Sequence, residues 1–254
     1  MNEPNTDNNK LVDNTNILDK IQNEPLLLTT SEQQNDNLYE NSSSIKLKRF
    51  FVDPYVYSRL IIENNIFNFN YNTDITQLTD NIFIGNYSTS TNLQLLKKNN
   101  ITHILTVLSD FYPPYPDDFK YLHIEAYDDI NENLIYKFPI SNLFLKEVED
   151  TNGKVYVHCM RGASRSVTLI LAYLLFKRQI KYDMMTEFEK IELRIKEDTE
   201  RTTSPLYKEL IKNNESYISF DNDIIYELLR IKEKRSIALP NISFMKQLQN
   251  YYIK

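Results

Sequence analysis

The residues best suited to chemistry lie together in the segment VHCMRGASRS, residues 157–166. Cys159 is the only cysteine of the chain, and an ionised thiol is a strong nucleophile. Arg165 follows six positions later, and its planar guanidinium can bind two oxygens of an oxyanion at once. Gly162, between them, lets the backbone curl so that its amides face one point. These residue types at this spacing predict an anion-binding loop with a nucleophile at its floor.

The elements on either side are those that such a loop needs. Residues 154–157 are a β-rich apolar run, and residues 164–176 form a strongly apolar helix pattern. A strand that turns directly into a helix directs the loop amides and the free N–H groups of the first helical turn at one place, which attracts an anion and stabilises a thiolate. The alternative is an inert buried cysteine beside a surface arginine, and it leaves His158 and Gly162 without a role.

The rest of the chain alternates between strand and helix patterns. Strands are predicted at 82–85, 101–107 and 121–126, and helices at 91–98, 133–151, 223–234 and 243–252. Pro139 is expected to break or kink the helix that starts near Asn133. This alternation predicts an α/β fold, with a central, mostly parallel twisted sheet flanked by helices and the phosphate-binding loop between a strand and a helix.

Residues 183 to about 222 are predicted to be a helical insertion. Four apolar residues follow helical spacing, at Met184, Phe188, Ile191 and Ile195. Ser204 and Pro205 are typical of the start of a second short helix through Ile211.

The segment VHCMRGASRS resembles the signature loop of the dual-specificity branch of the cysteine-dependent phosphatases, which act on phosphotyrosine and on phosphoserine or phosphothreonine. Three further segments carry the resemblance. DNIFIGNYSTSTNLQLLKKNNITHILTVLSD resembles the opening of that domain, YLHIEAYDD the strand before its acid loop, and LPNISFMKQLQNYY its last helix. The likeness covers about residues 75–254 and is interrupted by the insertion, which departs from the compact family pattern.

The resemblance implies a protein phosphatase, a phosphoric monoester hydrolase that uses no metal or cofactor. Cys159 attacks phosphorus to give a cysteinyl-phosphate. Arg165 and the loop amides hold the phosphate oxygens, the phosphate-binding residues being Met160, Arg161, Gly162, Ala163, Ser164 and Arg165. His158 resembles the family histidine that orders the loop and helps to lower the thiol pKa, a supporting role.

The family's proton donor lies on a loop that follows a strand about thirty residues upstream. In this chain the loop reads Ala126-Tyr127-Asp128-Asp129, and the alignment favours Asp128 over Asp129 as general acid. Ser166 is expected to donate a hydrogen bond to the departing thiolate. The other interpretation of Ser166 is an ordinary first-turn serine that satisfies a helix amide.

Composition and charge limit the kinds of partner that the chain can bind and indicate where its domains begin and end. Residues 1–44 hold eight acids against two bases and are predicted to be a disordered Asn-rich tail, while the formal net charge is -6, so the remaining chain is close to neutral. A neutral body argues against nucleic acid or membrane as partners. Residues 45–74 form an extension in which Lys46 to Val52 resembles a docking motif for a mitogen-activated protein kinase; the other interpretation of these residues is the solvated edge of a packed segment. The catalytic domain is expected at 75–254, and cytoplasm or nucleus as the location, in a signalling role.

Other functions compete with a protein phosphatase. A phosphopeptide-binding module without catalysis is disfavoured because nucleophile, arginine and acid are all present. A phosphatase for a phosphoinositide or an RNA triphosphate needs extra bases near the loop, where Arg161 is the only addition. A sulfurtransferase also uses a cysteine in an anion loop, but His158 and the upstream acid fit phosphate better.

Overall fold

The computed structural model describes residues 74–252. The predicted tail at 1–44, and the extension at 45–74 apart from Asp74, lie outside the described residues, as does the proposed docking segment at Lys46 to Val52.

Five strands form a single sheet within the described range. They are β1 (Ile75–Gln77), β2 (Ile82–Gly85), β3 (His103–Val107), β4 (Lys120–Ile124) and β5 (Val155–His158). Their order across the sheet is β1-β2-β5-β3-β4. The last four strands of this order run parallel, and β1 pairs antiparallel with β2 at the edge. The predicted α/β fold with a mostly parallel sheet is confirmed.

Helices connect and follow these strands. They are α1 (Tyr87–Ser90), α2 (Leu93–Lys98), α3 (Phe138–Asp150), α4 (Arg165–Asp183), α5 (Glu187–Thr203), α6 (Pro205–Asn213), α7 (Asn222–Lys234) and α8 (Ile242–Tyr252). Short 3₁₀ helices lie at Ile135–Lys137 and Glu215–Ser219.

Alternate residues of each strand face two different apolar layers. In β5, Val155 and Val157 belong to the larger core, which also contains buried residues of α3, α4, α7 and α8. Tyr156, between them, belongs to the smaller core with Leu96 of α2. This alternation with a period of two residues is what a sheet covered on both faces requires.

Two helices differ from their predicted bounds by more than two residues. The α-helix predicted from about Asn133 begins at Phe138, after a 3₁₀ turn, so Pro139 lies in the first turn, where its missing N–H group breaks no hydrogen bond. Helix α4 continues to Asp183 instead of ending at Phe176. Its polar last turns persist because Arg178 is buried and pairs with acids of α5 and α7.

The segment between α4 and α7 is helical. Helix α5 begins with a capping box in which Thr186 and Glu189 bond reciprocally to each other's backbone amides. Ser204 precedes α6, and Pro205 lies in its first turn. Among residues 74–252, no helix is both long and apolar enough to cross a bilayer.

Candidate active site

The position of Cys159 follows from the sheet topology. It comes directly after β5, which has parallel neighbours on both sides in β2 and β3. The carboxyl ends of parallel strands open on one edge of a sheet, where α/β proteins bind ligands. Helix α4 begins at Arg165, so the whole loop is a tight connection of six residues between the central strand and a helix.

Four consecutive carbonyl groups of this loop point away from its centre, each accepting a hydrogen bond from outside the loop. The amide of Tyr87 donates to Met160 O (3.1 Å), Arg235 donates to Arg161 O (3.1 Å) and Gly162 O (2.6 Å), and the amide of Leu239 donates to Ala163 O (2.8 Å). In a planar trans peptide the N–H group points opposite to the C=O group. The amides that follow these carbonyls therefore face the inside of the loop, as an anion cradle requires.

Gly162 makes this curl possible. Its φ angle is +67°, in the left-handed region that residues with a side chain rarely adopt. A Cβ atom at this position would stand 2.2 Å from the carbonyl oxygen of Gly85. The glycine predicted to shape the loop thus lies where no other residue fits.

The sulfur of Cys159 lies inside this cradle. The residue is 1% exposed, the amide of Gly162 donates to Sγ at 3.2 Å, and the hydroxyl of Ser166 lies 3.3 Å from it. Burial by itself raises the pKa of the thiol, but the charge of Arg165 and the hydrogen bonds from Ser166 and the Ala163 amide outweigh it. The net result is a thiol pKa below its ordinary value, which favours the nucleophilic thiolate.

Arg165 is buried at the start of α4, and its side chain contacts two residues of the acid loop. Its Nη1 donates to Ala126 O at 3.0 Å, and its Nε lies 3.7 Å from a carboxylate oxygen of Asp128. Nε is buried yet has no hydrogen-bond partner. A buried donor without a partner is rare in folded proteins. Here the donor is a guanidinium N–H beside the amide cradle, so it is available to donate to an oxyanion that binds there.

Asp128 contacts the loop, whereas Asp129 contacts its own turn. The Oδ1 atom of Asp128 accepts hydrogen bonds from Ser164 (2.7 Å) and from the side-chain amide of Asn241 (3.1 Å). The carboxylate of Asp129 instead accepts from the backbone and side chain of Asn131 at 2.8 and 3.0 Å. Of the two candidate acids, Asp128 is the one that the acid loop brings to Ser164 and Arg165.

His158, directly before the loop, is a neutral side chain. It is fully buried, and its Nε2 lies 2.8 Å from the hydroxyl of Thr106 on β3. Burial is the main cause that lowers the pKa of His158 to about 3. The ring is therefore uncharged at neutral pH, and the positive charge acting on the Cys159 thiol comes from Arg165.

Two residues at this site were not predicted from the sequence. Asn241 precedes α8, and its backbone N–H donates to Ser164 Oγ at 3.2 Å, so one residue ties the acid loop to the cradle. Arg235 follows α7, is buried, and holds two loop carbonyls, while its Nη2 also pairs with Asp74 at 2.7 Å. Arg235 is a positioning residue, since its donors reach loop carbonyls on the outside of the cradle.

The Arg235→Lys variant should show what this positioning contributes. A lysine keeps the charge but cannot bridge both carbonyls, so we expect the loop amides to relax and kcat to fall about tenfold to a hundredfold. The thiol pKa should rise, and competitive inhibition by inorganic phosphate should weaken. The matched control is Arg230→Lys on the exposed side of α7, which should behave as wild type. An Arg235→Lys protein with reduced thermal stability but unchanged thiol pKa and phosphate inhibition would contradict the positioning role.

Metal ligands do not cluster at this site. Among residues 74–252 no group of three His, Cys, Asp or Glu side chains could hold a metal ion. The two histidines other than His158 have local partners: His103 lies 2.7 Å from the hydroxyl of Thr102, and His123 lies 2.8 Å from the carbonyl oxygen of Leu108.

The comparison with protein families agrees with this geometry. The profile of the dual specificity phosphatase catalytic domain matches residues 82–254. The chain belongs to this family. Dual specificity protein phosphatase 1B of Arabidopsis thaliana is 39% identical over 114 residues, which cover 45% of this chain and 68% of that protein. Dual specificity protein phosphatase 1 of the same plant is 30% identical over 66% of this chain and 64% of that protein.

Other relatives of this dual-specificity family are larger or more distant. MAP kinase phosphatase with leucine-rich repeats protein 1 of Dictyostelium discoideum is 42% identical over 41% of this chain, but the match covers only 12% of that protein. Among solved structures, the Yvh1 phosphatase domain from Chaetomium thermophilum has a TM-score of 0.51 at 24% identity, and the match covers 70% of this chain and 95% of that one. At this identity the structure supports the fold alone.

The structure brings most of the predicted site residues together. Cys159, Arg165, Ser166 and the loop from Met160 to Ser164 form one cradle, with Asp128 at its rim. His158 lies behind the cradle. Their catalytic roles stay predictions, which the experiments below test.

Proposed function

We propose that this protein hydrolyses phosphotyrosine and phosphoserine or phosphothreonine in proteins through a cysteinyl-phosphate intermediate. The observation that carries the proposal is the cradle itself: outward carbonyls, inward amides and a buried guanidinium surround a cysteine whose thiol pKa is lowered. Membership of the dual specificity phosphatase family supports the same reaction.

In the first half-reaction the Cys159 thiolate attacks phosphorus, so that an S–P bond forms as the P–O bond to the leaving group breaks. The inward amides and Arg165 hold the three remaining phosphate oxygens as their charge redistributes. Asp128 gives its proton to the departing oxygen, which leaves as a neutral phenol or alcohol. The contacts of Asp128 with Ser164 and Arg165 keep the acid near this oxygen.

In the second half-reaction the ionised Asp128 takes a proton from water, whose oxygen bonds to phosphorus as the S–P bond breaks. The products are inorganic phosphate and the thiolate. Ser166 and the Gly162 amide, at 3.3 and 3.2 Å from the sulfur, stabilise the departing thiolate. For Ser166 this geometry favours the catalytic interpretation over that of a helix-capping serine, since its hydroxyl contacts the sulfur.

We extend the proposal to a mitogen-activated protein kinase as substrate. Its support is the name of two Dictyostelium discoideum relatives, the MAP kinase phosphatases with leucine-rich repeats 1 and 2, which are 42% and 38% identical over 41% of this chain.

Asp128→Asn should separate the two candidate acids and test the reaction. An amide cannot donate the proton, so we expect kcat for phosphothreonine and phosphotyrosine peptides to fall by about 10²-fold or more. The loss should be smaller for an aryl phosphate with an acidic phenol, which leaves without protonation. Rates are measured by phosphate release with a chelator present, on single peptides, a doubly phosphorylated kinase-loop peptide and a phosphoinositide.

The matched control is Asp129→Asn, which removes a carboxylate one residue away and should retain wild-type rates. An Asp128→Asn enzyme that is as fast as wild type on peptides would show that Asp128 is not the general acid. An Asp129→Asn enzyme that keeps its rate on the aryl phosphate but loses its rate on peptides would assign the role to Asp129. A wild-type enzyme that hydrolyses the phosphoinositide far better than every peptide would contradict the protein substrate.

A further inference from the structure

Glu132 closes the acid loop on itself. The loop continues past Asp128 to Leu134, where the 3₁₀ helix follows. One carboxylate oxygen of Glu132 accepts a hydrogen bond from the backbone amide of Tyr127 at 2.7 Å, and the other accepts from the amide of Asn133 at 3.1 Å. Because Tyr127 directly precedes Asp128, this bond across the loop restrains the backbone one residue before the proposed general acid.

Gln247 joins the same loop to α8. Its side-chain oxygen accepts a hydrogen bond from the backbone amide of Leu134 at 2.7 Å, and its side-chain nitrogen donates to the carbonyl oxygen of Glu132, also at 2.7 Å. Both polar atoms of this side chain are therefore bonded to the loop backbone. Two bonds from one planar amide group restrain the direction of the loop as well as its distance from the helix.

The bond to Leu134 is one that the fold requires. Leu134 is fully buried and belongs to the larger core, so its backbone N–H group lies away from water and needs an acceptor. Gln247 supplies that acceptor from a segment 113 positions away. Without it, the loop must shift to bring the unpaired amide to water, or keep it buried at a cost.

Asp128 is thus held from two sides. Its own carboxylate contacts Ser164 and Asn241, while the backbone on either side of it is tied to Glu132 and, through Glu132 and Leu134, to Gln247. Transfer of a proton to a leaving oxygen needs the carboxyl group within hydrogen-bond reach of that oxygen, and a displacement of about 1 Å is enough to slow a reaction strongly.

From these contacts we propose that Glu132 and Gln247 are positioning residues for the general acid. They hold the loop so that the carboxyl group of Asp128 stays within reach of the leaving oxygen. The inference rests on the proposed function, since it concerns the same proton transfer. Neither residue touches the phosphate, so both act through Asp128.

Gln247→Met tests this role, because methionine is similar in size to glutamine but provides neither the strong acceptor nor the donor. We expect kcat for phosphothreonine and phosphotyrosine peptides to fall about tenfold. The loss should be smaller for an aryl phosphate with an acidic phenol, which leaves without protonation. Inhibition by inorganic phosphate, which reports on the cradle, should stay within about twofold of wild type.

The matched control is Gln249→Met, the same substitution two residues later on α8. The side chain of Gln249 accepts from the amide of Asp221 before α7, at 2.9 Å. Its loss should lower thermal stability as much as Gln247→Met does, yet leave the ratio of peptide to aryl phosphate rates unchanged. Equal ratios in the two variants would show that Gln247 serves stability alone.

The Asp128→Asn background decides whether Gln247 acts through the acid. With no acid to position, Gln247→Met should slow peptide hydrolysis less than about twofold further. Losses that multiply in the double variant, in a protein whose wild type is active, overturn the positioning role and leave the proposed function standing. A wild type that hydrolyses none of the substrates overturns both.

A pair of variants at Glu132 gives an independent test. Glu132→Gln keeps an oxygen that can accept from the Tyr127 amide and should retain at least about half of the wild-type rate on peptides. Glu132→Met removes the acceptor and should lose about tenfold, again less on the aryl phosphate. Equal losses in the two variants would show that the carboxylate charge, and not the hydrogen bond, is what matters, which contradicts the proposal.

Discussion

Replacement of Cys159 by serine should abolish turnover while the protein still binds phosphate. A serine hydroxyl is not ionised at neutral pH and the cradle holds no base for it, so we expect kcat for an aryl phosphate to fall by about 10⁴-fold or more. The amides and Arg165 are unchanged. Binding of a phosphotyrosine peptide, measured by calorimetry, should therefore remain within about threefold of the wild-type KM.

The combination of lost turnover and retained binding separates a catalytic role from a structural one. Equal thermal unfolding of wild type and Cys159→Ser is the control, because Cys159 is a buried residue that also belongs to the larger core. A Cys159→Ser protein that keeps a tenth or more of the activity would contradict covalent catalysis. Loss of both binding and stability would indicate that Cys159 serves the core.

The Arg165→Lys variant should lose nearly as much activity. Lysine keeps the positive charge but has no planar pair of donors, so it cannot bind two phosphate oxygens in fixed directions. It also cannot keep the bond to Ala126 O while facing the anion. We expect kcat to fall by about 10²-fold to 10⁴-fold, with weaker inhibition by inorganic phosphate, measured by steady-state kinetics on an aryl phosphate.

Arg230→Lys is the matched control for Arg165→Lys, since its side chain is 58% exposed on α7. This variant should keep wild-type kinetics. If Arg165→Lys also keeps wild-type kinetics, a positive charge alone is sufficient at this position, and the prediction that Arg165 binds two phosphate oxygens is wrong.

The loop could be predicted from the sequence because its determinants are local. The apolar strand, the glycine and the helix start are all contained in residues 154–166, and adjacent residues fold into adjacent positions. The φ angle of Gly162 is the physical reason for a glycine that the sequence had already singled out. Asp128 could be predicted only from the family resemblance, since 36 residues separate it from its partner Ser164.

The residues that hold the loop in place act through contacts between segments that are far apart in the sequence. No local sequence pattern predicts such contacts. Arg235 bonds to Gly162, 73 positions away, and the sequence places it only at the end of the charged run RIKEKR, residues 230–235. The orientation of α5 was equally hidden. Helical spacing of Phe188 and Ile191 predicts a helix with an apolar side, but the buried ion pair of Arg178 and Glu197 decides that this side faces outward.

The central claim is that Cys159 is ionised at neutral pH inside the cradle, and the pH dependence of its alkylation tests this most directly. Since the chain has a single cysteine, iodoacetate labelling reports on this thiol alone. A lowered pKa means that the thiolate persists as the pH falls below the ordinary thiol value of about 8.5, and is lost only when the pH falls through the lowered pKa. The predicted result is a labelling rate whose rise with pH lies below the ordinary thiol value and that inorganic phosphate suppresses. A rate that still rises between pH 8 and 9, without protection by phosphate, would contradict the account.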